Sequence, residues 1–115
     1  LRFLGSAKKR EAKMNQYRVL FDELEWQDGI RGARFKVHRE GSKQIRLLEF
    51  TSEFVELEWC TKGHTGLVLK GELEIDFCGK LVRFPEGSGL FIPAGEKHKG
   101  RPITSSVLLF LVEDI

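Results

Sequence analysis

From residue 33 onward the chain is cut by glycines and turn residues into runs of four to eight residues rich in branched and aromatic side chains. Runs of that length and composition are strands, and they leave no window in which an amphipathic helix could form. Residues 33–38 and 44–51 are separated by Arg39-Glu40-Gly41-Ser42-Lys43, which predicts an early antiparallel hairpin turning at Gly41. Further strands are predicted over 54–60, 66–70, 72–77, 80–84, 89–92 and 106–112, with Gly71, Gly79 and Gly87 at or beside the turns. Many short strands at regular spacing specify an all-β sandwich or small barrel. Residues 17–24 read as a leading strand or a short helical turn.

The chain has 115 residues, enough for one buried core and too few for a second folded unit. A composition of 41% hydrophobic and 31% charged residues fits an ordinary globular domain. Charge is unevenly placed. Arg2, Lys8, Lys9, Arg10 and Lys13 stand against Glu11 near the start, so a net charge of +2 leaves the remainder mildly acidic. Residues 1–16 therefore read as a basic N-terminal arm, with the folded domain over 17–115. A mildly acidic body lacks the clustered positive stripe of a nucleic-acid surface, which argues against that partner.

The longest apolar run, residues 107–112, is far short of the roughly 18 residues that cross a bilayer, so no membrane association is expected. The start of the chain shows no continuous apolar stretch of signal-peptide length, and the expected location is cytoplasmic. Cys60 and Cys78 are too few for a disulfide framework and are read as free thiols, Cys78 as a small packing residue beside Gly79. His38 is expected at the surface and Trp26 in the core. The apolar run 107–112 fits either an edge strand covered in a homodimer or a central strand buried on both faces, and a homodimer is expected.

The most specific segment runs from Gly87 to His98 and has the form G-x5-P-x-G-x2-H. Gly87 opens a turn, residues 90–92 form a core strand, and Pro93 with Gly95 reverses the chain so that His98 can face inward. This segment resembles the second motif of the cupins. Pro102 stands where that family carries an asparagine. Upstream, Val68-Leu69-Lys70-Gly71-Glu72-Leu73 resembles the end of the first cupin motif, H-x-H-x3-4-E-x6-G. Counting back from Gly71 puts His64 at the glutamate position, and a three-residue gap puts Glu58 and Cys60 at the two histidine positions.

The resemblance spans residues 33–112 and implies the cupin double-stranded β-helix, a jelly-roll-like barrel. It further implies a metal site on Glu58, Cys60, His64 and His98. All four are competent ligands for first-row metals, and a thiolate favours Zn²⁺ or Fe²⁺ over Mg²⁺ and Mn²⁺. The alternation of residues 55–59 opposes this. Val55, Leu57 and Trp59 form one face and Glu56 and Glu58 the other, so ordinary patterning would turn Leu57 and Trp59 into a metal-free pocket. Both readings stay open here. The functional expectation is a small-molecule-binding cupin with a metal-dependent activity on a small polar or carbonyl-containing substrate. Its alternative is a non-catalytic ligand-binding or sensor module. Fold alone chooses no reaction.

Overall fold

The computed structural model describes residues 17–115. The basic arm, residues 1–16, lies outside the described residues. A single turn of 3-10 helix at Phe21–Glu23 precedes nine strands: β1 (Gln27–Asp28), β2 (Ala33–Glu40), β3 (Lys43–Thr51), β4 (His64–Lys70), β5 (Leu73–Phe77), β6 (Lys80–Phe84), β7 (Gly89–Ile92), β8 (Lys99–Pro102) and β9 (Ser106–Asp114). They form two antiparallel sheets, ordered β1-β2-β3-β9-β4-β7 and β6-β5-β8. Their inward faces bury Phe50, Val68, Leu73, Ile75, Leu90, Ile92, Val107, Leu109 and Leu111. The all-β reading holds, and the two-sheet arrangement is that of a jelly roll.

Turn chemistry explains the hairpins. Cys78 and Gly79 both have positive φ, 56° and 107°, in the two-residue loop between β5 and β6, as a type I′ turn requires. The amide of Gly79 donates to Asp76 Oδ1 at 2.6 Å and closes it. Cys78 is thus an exposed turn residue, not the packing residue its composition suggested. In β4 the glycine has another purpose. A Cβ on Gly66 would collide with the backbone carbonyl of Phe110 in the neighbouring β9, so only glycine lets these two strands approach.

Strand β9 lies between β3 and β4. Val107, Leu109 and Leu111 fill the core while Leu108 and Phe110 are half-covered on the other face, where the Phe21 ring meets Phe110 edge-on at 6.3 Å. The apolar run is therefore a central strand, which removes the edge-strand argument for dimerisation. Two other expectations shift. Residues 54–60 form no strand, and β1 was not predicted. Trp26 is half-buried rather than core, lying beneath the Arg34 guanidinium at 4.1 Å and the Lys36 ammonium at 5.0 Å. His38 is 40% exposed and paired with Glu40 at 3.0 Å.

Candidate metal centre

A cavity of about 270 Å³ lies between the sheets. Phe35, Leu48, Phe50, Leu73, Ile75, Leu90, Leu109 and Leu111 contribute its apolar wall, and its polar lining comes from Arg46, Glu56, Cys60, Lys62, His64 and His98.

Three of these residues converge. Cys60, His64 and His98 each offer one ligand atom, and the three atoms lie within 4.8 Å of one another. Different parts of the chain deliver them. His64 opens β4, on the inward row that continues through Gly66 to the fully buried Val68. Cys60 sits in the irregular stretch before it and exchanges both backbone hydrogen bonds with His98, Cys60 N to His98 O at 2.8 Å and His98 N to Cys60 O at 2.9 Å. That isolated bridge binds the substituted first motif to the intact second one. His98 follows the turn at Gly95, whose φ is 97°, as the motif's spacing predicts.

The ring nitrogens are organised. His98 Nδ1 donates to the carbonyl of Glu96 at 2.7 Å, leaving Nε2 with its lone pair. This Nε2 is buried, on a residue only 3% exposed, and has no hydrogen-bond partner among the described residues. The His64 ring stands at 78° to that of His98 with centroids 5.0 Å apart. Its Nε2 lies 4.0 Å from Cys60 Sγ, and its Nδ1 faces Glu113 Oε2 at 3.8 Å. The Cys60 sulfur also accepts the backbone N–H of Lys62 at 3.4 Å. A buried imidazole nitrogen without a partner is costly unless a ligand uses it. One thiol and two imidazoles fit a borderline-soft divalent ion.

Glu113, near the end of β9, is almost completely buried, with 9% of its side chain exposed. Burial would raise its pKa, but His64, Arg46 and Gln44 around it outweigh this and hold the carboxyl well below the usual carboxylate range. Arg46 grips it through two bonds, Nε to Oε1 at 2.7 Å and Nη2 to Oε2 at 2.8 Å. Gln44 adds a third at 2.7 Å.

The structure does not bring Glu58 into this cluster. Glu58 is exposed, as are Leu57 (79%) and Trp59 (42%), and none of the three lines the cavity. The inward residues of the segment are Phe54, Glu56 and Cys60, with Glu56 Oε1 accepting the Gly100 amide at 2.7 Å. Outside, Lys99 covers the Trp59 ring at 4.7 Å. The expected inward apolar face is thus turned outward, because this segment belongs to no sheet and its alternation reports no core side.

Sequence reasoning passed over Glu56, Arg46 and Glu113. A signal for the last two exists, since Val107, Leu109, Leu111 and Glu113 share one row of β9, and Arg46 continues the row of Leu48 and Phe50 in β3. A charged residue ending an inward apolar row marks the polar end of a cavity.

No protein-family model and no curated protein matches the chain. Solved structures do match. An RmlC-like cupin from Shewanella frigidimarina is 14% identical over 86% of this chain and 90% of its own, with a TM-score of 0.67. The polyketide cyclase RemF from Streptomyces resistomycificus is 15% identical over 84% of this chain and 78% of its own, with a TM-score of 0.72. Iron(II) HppE in complex with substrate is 17% identical with a TM-score of 0.66; the match covers 83% of this chain but only 58% of HppE. Nine antiparallel strands in two facing sheets, a G-x5-P-x-G-x2-H turn that delivers His98 inward, and these neighbours together establish that the chain has the cupin fold.

Proposed function

We propose that the chain is a small-molecule-binding cupin that holds a divalent ion, Zn²⁺ or Fe²⁺, on Cys60, His64 and His98 and acts as a metal-dependent enzyme. The observation that carries this reading is the buried Nε2 of His98, unpartnered among the described residues, within a cluster of three ligand atoms no more than 4.8 Å apart. Three protein ligands leave coordination positions open, the arrangement of catalytic rather than structural sites. An ion held there supplies Lewis acidity to an oxygen of the substrate or to water.

The surrounding residues define what could enter. The wall is largely apolar and the three ligand residues are part of it, so a compound with an apolar body and a carbonyl or similar oxygen to meet the ion fits best. Glu56, with one oxygen fixed by Gly100 N–H and a place on the cavity wall, is the carboxylate available for proton transfer to such a compound. Among structural neighbours, RemF is a polyketide cyclase and HppE was solved with iron(II) and substrate, which supports an enzymatic reading for this fold.

The test is metal content. Protein purified without chelator or metal-affinity resin and reconstituted with Zn²⁺ or Fe²⁺ should carry close to one ion per chain. Stoichiometry below about 0.1 at excess metal sinks the proposal, since even a modest site fills under those conditions. The apolar cavity would then support the second reading, a non-catalytic ligand-binding or sensor module.

A further inference from the structure

The buried carboxylate beside His64 has no role in the ligand cluster itself. It is also too well fixed to be incidental, because Arg46 and Gln44 together give it three hydrogen bonds of 2.7 to 2.8 Å. We propose that Glu113 is the positioning residue of the metal centre: it selects the His64 tautomer with the proton on Nδ1, so that Nε2 presents its lone pair beside Cys60 Sγ. The inference rests on the metal reading above and deepens it.

The geometry supports this from both sides of the ring. Nε2 of His64 already points toward Cys60 Sγ at 4.0 Å, while Nδ1 is buried, has no hydrogen-bond partner among the described residues and faces Glu113 Oε2 at 3.8 Å. A displacement of roughly 1 Å closes that gap to hydrogen-bond length. His98 has the equivalent support in place, with Nδ1 donating to Glu96 O at 2.7 Å. Both imidazoles thus turn Nδ1 toward an oxygen acceptor outside the cluster and Nε2 toward its centre. Metal-bound histidines generally donate their second N–H to such an acceptor, which fixes the ring and raises its basicity. Arg46 and Gln44 leave Glu113 little freedom except to meet His64.

Zn²⁺ affinity by chelator competition, together with long-range ¹H–¹⁵N spectra of the imidazole rings, tests the assignment. Glu113→Gln should bind Zn²⁺ about 10- to 100-fold more weakly than wild type. In the metal-free protein its His64 signals should shift away from the Nδ1–H tautomer, while those of His98 stay unchanged. Glu113→Asp keeps the charge opposite Arg46 but withdraws the carboxylate from His64. It should fold normally and still lose affinity, which covers the case in which the glutamine variant fails to fold. Wild-type affinity with an unchanged His64 tautomer in a folded variant overturns this inference alone. A wild-type chain that takes up no Zn²⁺ overturns the metal reading, and the inference falls with it.

Discussion

Cys60 and His98, thirty-eight positions apart, exchange both of their backbone hydrogen bonds, at 2.8 and 2.9 Å. This bridge, outside every named strand, carries the Cys60 thiol to the two imidazoles. The side chains depend on a backbone contact that neither motif contains by itself.

The ligand assignment predicts an ordered set of variants. Cys60→Ser, His64→Ala and His98→Ala should each reduce Zn²⁺ retention sharply, since a three-ligand site loses both a bond and its geometry. Glu58→Gln should retain as much metal as wild type, because Glu58 is exposed and away from the cluster. Elemental analysis after dialysis reads all four. Retained metal in His98→Ala, or its loss in Glu58→Gln, would place the ion elsewhere.

Two glycines should fail differently. Gly95 has φ 97° and nothing within 4 Å of an added Cβ, so Gly95→Ala meets only backbone strain and should cost about 1 to 3 kcal/mol. Gly66→Ala instead drives a methyl group into the Phe110 carbonyl across the β4–β9 pairing. It should cost about 3 kcal/mol or more, because backbone on both sides must separate. Urea midpoints of the two variants compare them, and equal losses would contradict this account.

At the β5–β6 turn, Cys78 occupies φ 56° as a non-glycine residue and is exposed. Cys78→Asn places a residue that tolerates this conformation at the first position of an Asn-Gly type I′ turn, and should stabilise the fold by about 1 kcal/mol. A thermal midpoint that stays level or falls would show that the turn is not under this strain.

Glu74 gives the fold an acid limit. Its side chain is 8% exposed and is held by Arg83 at 3.0 Å and Arg101 at 2.7 Å. Hydrogen bonds from Arg83 and then Arg101 lower its pKa against the effect of burial. A folded-state pKa below the unfolded value means that the unfolded chain binds more protons in between. The stabilisation is therefore complete above about pH 4.3, the ordinary glutamate value, and is lost as pH falls through the folded value. Denaturation midpoints between pH 6 and pH 3 should decline less steeply in Glu74→Gln than in wild type. Parallel declines would remove Glu74 as a cause.

Most strands were legible in the sequence because turn residues act locally. Gly41, Gly71, Gly79, Gly87 and Gly95 all adopt positive φ, which a neighbouring strand cannot supply and an L side chain resists. The same local logic placed the second motif and its inward His98. Long-range pairing was not legible. Whether residues 106–114 formed an edge or a centre depended on β3 and β4 closing on either side, and nothing within β9 records that. The segment 54–60 failed for a related reason. Alternation divides side chains into two faces only where a sheet defines them, and without strand partners Val55, Leu57 and Trp59 turn outward while Phe54, Glu56 and Cys60 turn in. The sequence by itself determined most of the strands and the turns between them. The tertiary structure decided that Cys60, His64 and His98 come within 4.8 Å of one another without Glu58 and that Glu113 stands beside His64, because those distances arise from backbone pairings between segments far apart along the chain.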